Sequence, residues 1–484
     1  MRYVPAKLVP AIVAFLVVIL LTHRLTPADY GRYAWVLSVT TLTDAFVSTW
    51  LRQSTLRYYA EYQIRGAGRE FQELLYAPVV TQTLAVALGV ALVIVLTGRS
   101  VLDAELVFAV LLTLLPFSYL TTVLQASRQA GGYALVTLVQ SLVQATWVLL
   151  FVNFRGGGFG AAVGAVVAGY VAAFAVVVAR SRAAGIALRP VWRGLRGSLV
   201  RQMLVYGLPL SAWLLCYQLL SLGARLVIES ARSPGELGPY ASSFDLLNGS
   251  ISLLMTPFLL AAHPVVMQLW AAGRDRPAIE ELLARVTRYL LLLVVPVCII
   301  LAALNEELLG LVLGRGYRLE GWVVQVVVAG AFVGGLANYA HKGLEIAERT
   351  GVMLAVAAAT AVLNLGLNLL LIPRFGVPAA AVVTFASYLL YAVVVYLFSR
   401  RYARIRVAPA TLLRVAFAGL AAWLAVDLAH GSAVASLGAL PRVVLIALLA
   451  GVVYVAVLLA TGELAAEQRR LRAALRPAAI RSTP

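Results

Sequence analysis

Fourteen apolar stretches, each long enough for a helix to cross a bilayer, constrain this chain more tightly than any other feature. At 1.5 Å per residue, about 20 residues cover ~30 Å of hydrocarbon. The stretches fall at about 4–25, 31–52, 74–97, 104–125, 133–153, 159–180, 204–228, 237–262, 288–310, 320–340, 352–372, 377–398, 411–429 and 441–460. In lipid each backbone amide must be satisfied within its own segment, so these stretches must be helices. Only 12% of the residues are charged, about half the share of a water-soluble domain. The class is an all-α membrane protein. The first stretch has no small-residue cleavage site and is followed by thirteen others, so it reads as a span and not as a signal peptide. No connecting loop is long enough for a folded soluble domain.

The formal charge of +18 invites a nucleic-acid reading, but the basic residues sit in short loops between spans and not on a domain face. Of the 39 Lys and Arg, 29 fall in one set of alternate loops and tails and 9 in the other. The positive-inside rule then places both termini in the cytoplasm of a multi-pass inner-membrane protein. Cys216 and Cys298 lie inside apolar stretches and read as small packing residues, with no disulfide or metal framework. No phosphate-binding loop, zinc signature or nucleophile elbow occurs, so the chain reads as a transporter and not an enzyme, with no bound cofactor.

An internal repeat organises the spans. PADYGRYA at 27–34 is answered by PGELGPYA at 234–241, QELL at 72–75 by EELL at 280–283, and FGAAVGAVV at 159–167 by FGVPAAAVV at 375–383. Three matches in one order, at slowly growing offsets, define two copies. Each copy holds six spans, an even number, so both have the same orientation. Two parallel six-helix lobes around a central cavity follow, with two further helices outside the repeat. The expected domains are an N-terminal lobe (1–180), a basic amphipathic connector on the cytoplasmic surface (181–203), a C-terminal lobe (204–400), helices 13–14 (401–462) and a basic tail (463–484). The connector reads as an in-plane helix against anionic lipid.

Polar residues inside spans mark the candidate site, because a charge at mid-membrane costs about 2.5–3.5 kcal/mol unless it faces a cavity or a partner. Ser38, Thr41, Asp44, Ser48, Arg52 and Thr55 share one helical face of span 2. Eight residues separate Asp44 from Arg52, about 12 Å along a straight helix, too far for a direct ion pair. Span 7 carries Ser211, Gln218, Ser221, Arg225 and Glu229, and Arg225 can pair with Glu229 one turn on. Span 8 carries Ser242, Asp245, Ser252, Thr256 and His263. Gln140 and Gln144 on span 5, and Thr360, Asn364 and Asn368 on span 11, suit interhelical hydrogen bonds or substrate contacts equally.

The motif LTPADYGRYAWVLSVTTLTDAFVSTWLRQSTLRYYAEY at 25–62 and its echo SPGELGPYASSFDLLNGSISLLMTPFLLAAHPVVMQLWAAG at 233–273 resemble the Wzx-type polysaccharide transporter family of the multidrug/oligosaccharidyl-lipid/polysaccharide superfamily. The resemblance implies a flippase that carries a polyprenyl-diphosphate-linked oligosaccharide from the inner to the outer leaflet by alternating access. It also implies a basic cavity, which Arg24, Arg52, Arg57 and Arg225 would supply, with Asp44, Asp245, Glu229 and His263 as coupling candidates for H+ or Na+. Thr41, Ser48, Gln144, Gln218 and Asn364 would line it. Glycan polymerases and glycosyltransferases are the partners so implied. The sequence departs from the family where Ala224 stands in place of an acid beside Arg225. The alternatives are a drug or small-molecule exporter of the same superfamily and a membrane glycan polymerase or ligase.

Overall fold

The apolar stretches do form helices, and only polar turns interrupt them. A computed structural model describes residues 4–184, 197–273, 275–431, 437–465 and 467. Its helices run α1 (Val4–Thr22), α2 (Pro27–Val47), α3 (Thr49–Ile64), α4 (Gly68–Leu96), α5 (Val101–Ala126), α6 (Ala130–Trp147) with a π-helical end (Val148–Phe154), α7 (Phe159–Ala184), α8 (Gly197–Ala231) and α9 (Pro234–Ala271). They continue through α10 (Arg276–Ala303), α11 (Asn305–Val312), α12 (Gly321–Ala340), α13 (Lys342–Ile346), α14 (Thr350–Phe375), α15 (Val377–Ser399), α16 (Pro409–His430) and α17 (Ala439–Ala460). Among the described residues 12 helices are long and apolar enough to cross a membrane, and Val9–Thr22 is a shorter apolar helix. The α2–α3 rod corresponds to the remaining expected span. Its mean composition is more polar than theirs because it carries the Asp44 stripe.

Local chemistry sets the ends. Thr26 caps α2, its hydroxyl accepting from the Asp29 amide at 3.1 Å, with Pro27 in the first turn. Ser100 caps α5 in the same way through the Asp103 amide. Gly376, at φ +63°, ends α14 in a conformation that an L side chain resists. Of the expected connector at 181–203, residues 181–184 end α7, 185–196 lie outside the described residues, and those from Gly197 on open α8; of the expected tail, 466 and 468–484 lie outside them too.

Packing divides the chain into two compact units, residues 1–253 with 312–399 and residues 254–311 with 400–484. In the first, α8 packs along both α2 and α3 on one side and α14 and α15 on the other, so a helix of the second copy contacts the first. The repeat motif itself brings the two copies into close backbone contact. A Cβ on Gly31 would stand 1.9 Å from the carbonyl oxygen of Pro234, and one on Gly238 would stand 2.0 Å from that of Pro27. Each motif's glycine thus receives the other motif's first carbonyl, a reciprocal arrangement expected of two parallel copies about an axis along the membrane normal.

In the second unit α10 packs on the α16–α17 hairpin. Glu463, just beyond α17, accepts from Arg288 Nε (2.7 Å), Thr411 Oγ1 (2.9 Å) and Arg414 (3.0 Å). Burial opposes its charge, but the hydrogen bonds from Arg288, Arg414 and Thr411 more than offset that and hold its carboxyl below the usual range.

Candidate functional site

The site is built on the break between α2 and α3. Ser48 ends one helix and begins the next, and the Val47 carbonyl accepts from Gln82 Nε2 of α4 at 2.9 Å. Trp50 Nε1 donates to the same amide's Oε1 at 3.2 Å. A polar side chain on a neighbouring helix thereby satisfies backbone where the helix is interrupted, as a membrane interior demands.

At this interruption Arg52 Nη1 lies 3.2 Å from Asp44 Oδ2. The straight-helix separation is therefore the wrong measure. The helix is interrupted at Ser48, which keeps right-handed helical dihedrals (φ −94°, ψ −24°), and helical side chains lean toward the N-terminus, which carries the long Arg52 side chain back toward the acid. The second guanidinium nitrogen donates to Thr49 Oγ1 at 3.0 Å. A small cavity lined by Ser48, Arg52, Gln82, Thr83 and Tyr119 lies beside the pair. The hydroxyls of Thr83 and Tyr119 are buried there without a hydrogen-bond partner. Thr55 and Ser38, by contrast, donate to their own helix carbonyls, so those parts of the stripe are satisfied locally.

A second acid–arginine pair joins α8 and α9. Arg225 forks onto both oxygens of Asp245, one of them at 3.3 Å, and lies 5.4 Å from the Phe244 ring centroid. Pairing with Glu229 does not occur, since Glu229 is taken by Arg99, whose Nη1 donates to it at 2.7 Å. The acid missing at Ala224 is thus supplied from the next helix, which adjacency in sequence could not show. Arg99 itself lies over the Trp35 ring at 4.0 Å. In the sequence it counted only as a loop charge, and no local pattern marks it.

The remaining candidates scatter. Arg24 is exposed in the turn before α2, and Arg52 follows its far end, so a helix of 21 residues separates them. Arg57 is exposed and stacks on the Tyr206 ring at 4.4 Å. Gln140 donates to Gln144 on the same helix at 2.9 Å. Asn364 is buried and donates to Ser387 of α15 at 2.9 Å, while Asn368 donates to Asn364 at 3.0 Å, an interhelical network. Thr41 and Gln218 are half-buried. His263 is half-buried on α9, 18 residues beyond Asp245 and so about 27 Å along the helix. Lys342, expected in an inner loop, is buried and pairs with Glu345. Cys216 and Cys298 are free and only half-buried.

An all-helical, multi-pass chain with paired charges inside its spans is a membrane transport protein. Residues 3–270 match the family model described as "Polysaccharide biosynthesis protein", and the chain belongs to that family. The chain is 26% identical over 125 residues to the probable low-salt glycan biosynthesis flippase Agl15 of Haloferax volcanii, a match covering 26% of each chain. Its fold is similar to that of lipid II flippase MurJ in an inward closed conformation, with TM-score 0.71, 12% identity, and 93% of this chain and 96% of that one covered. It is also similar to an inward-facing multidrug resistance MATE family transporter of the MOP superfamily, with TM-score 0.60, 11% identity, and 83% and 94% covered.

Proposed function

We propose that the chain moves a polyprenyl-diphosphate-linked oligosaccharide from the cytoplasmic to the outer leaflet of a bacterial or archaeal inner membrane by alternating access, both termini being cytoplasmic. The observation that carries this reading is the Asp44–Arg52 pair, set in a spanning rod beside buried hydroxyls that have no partner. Asp44 holds the guanidinium in place while the site is empty. A diphosphate offers the same fork two oxygens and more charge, so it displaces the carboxylate. Asp44, left with a free charge, then takes up H+ or Na+, and the return stroke releases it. Glycosyltransferases would supply this substrate and a glycan polymerase would consume it.

Arg52→Lys keeps the charge and loses the fork. Glycan export should fall at least ~10-fold at unchanged protein abundance, and Arg52→Ala should fall further. Full export by both variants would reduce Arg52 to a lipid-anchoring residue. A second reading rests on Asp245, whose side chain is 38% exposed and presents a carboxylate. An exporter of cationic drugs would use such a group, and cells lacking the protein would then be drug-sensitive with normal surface glycan.

A further inference from the structure

We propose that residues 312–320 form a strap that latches the outer end of the first helical hairpin, with Tyr317 as the latch that must release before the outer side opens. The word "outer" rests on the topology proposed above. The segment precedes α12 in the second repeat copy and crosses the turn between α1 and α2 in the first. Tyr317 is 1% exposed, and its hydroxyl shares one proton between the carbonyls of Leu25 and Thr26, each 3.0 Å away. Its ring meets Tyr30 of α2 edge-on at 5.7 Å. Burial pushes the Tyr317 phenol upward, so it stays a donor at any physiological pH.

Two glycines let the strap lie this close. A Cβ on Gly314 would stand 1.8 Å from the Thr22 carbonyl oxygen, and Gly316, at φ +93°, lies against the Pro27 ring. The segment is nonetheless lightly held. Leu313, Gly314 and Tyr317 are buried, whereas Arg315, Gly316, Arg318 and Glu320 face outward. A segment held at so few points opens locally more readily than a packed helix, and Tyr317, fully buried and with a shared hydrogen bond, is the anchor whose release decides it. Opening this side requires the second copy to move from the α1–α2 turn, so the Tyr317 contact has to break in that step and can re-form at its end.

The test uses the full chain in intact cells, with Cys216 and Cys298 replaced by serine and a single cysteine at Ser38. Ser38 is buried seven residues into the helix beyond Gly31, about 10 Å deeper. Its labelling by an impermeant maleimide reports opening of the outer side. Tyr317→Phe keeps the ring and loses the donor, and labelling should rise about fivefold to tenfold, as expected for one hydrogen bond. Tyr317→Ala should raise it further. Melting temperature, read on the same proteins, separates a latch from a staple: Tyr317→Phe should label faster with little change in melting. Unchanged labelling in both variants would overturn the latch. A gain confined to inverted vesicles would place the strap on the other side and overturn it as an outer device. Neither outcome involves a glycan, so the fate of the flippase reading is decided separately by the Arg52 variants.

Discussion

The two repeat copies each carry an acid–arginine pair, and the two pairs are built in opposite senses. In the first copy Arg52 is the more open partner, at 23% against 14% for Asp44. In the second, Arg225 is 4% exposed and Asp245 is 38% exposed. The first pair therefore leaves its cation the more exposed partner, and the second its anion. The Asp44 pair forms within one interrupted rod, while the Arg225 pair joins two helices. Duplicated architecture has thus been kept without duplicated chemistry. Where the copies do agree is at Gly31 and Gly238, which are used reciprocally as close-approach points.

The largest expected effect comes from the second pair. Asp245→Asn strands a buried guanidinium whose Nε already lacks a partner, at a cost of about 3 kcal/mol. Thermal unfolding of the purified protein should show that loss, and the double variant Arg225→Met/Asp245→Asn should recover much of it. Asp44→Asn should disturb folding less, because Arg52 is less buried than Arg225, and should chiefly impair export. Equal destabilisation by the two Asn variants would erase the contrast.

The glycines test the point of agreement. Gly31→Ala and Gly238→Ala each force a methyl against a backbone carbonyl, and each should cost about 1–3 kcal/mol, with similar values for the two. A large difference between them would mean that the reciprocity is only geometric.

A third carboxylate–arginine cluster, outside the first unit, sharpens the comparison through pH. Glu463 accepts from two arginines and a threonine, and Glu463→Gln should cost about 2 kcal/mol near neutrality. Its carboxyl is held below the usual range, so its stabilisation is complete above the unfolded value and is lost as pH falls through the folded one. The gap between wild-type melting and that of Glu463→Gln should therefore begin to close only below the ordinary glutamate value of ~4.3 and vanish once pH has fallen through the lower folded value. A constant gap down to strongly acid pH would show that packing, not charge, holds the tail.

Much of this fold was legible in the chain because a bilayer leaves few options. Length and hydropathy dictate helices, and a motif such as P-x-[DE]-[YL]-G survives duplication because both copies need its glycine. The site was legible only as residue types on a stripe. Asp44 and Arg52 were marked as candidates, but their contact was missed, because the axial separation on an ideal helix ignores the reach of the arginine side chain back along its own helix. Arg225 was found with the wrong partner, because its acid comes from another helix. The contacts of Arg99 and Tyr317 left no mark in the sequence, since their partners lie 130 and about 291 residues distant. Periodicity and hydropathy are properties of neighbours along the chain, so the sequence alone determined class, span order and repeat. Ion pairs and latches are properties of neighbours in space, set by side-chain reach and helix crossings of a few ångströms, and only the tertiary structure decided those.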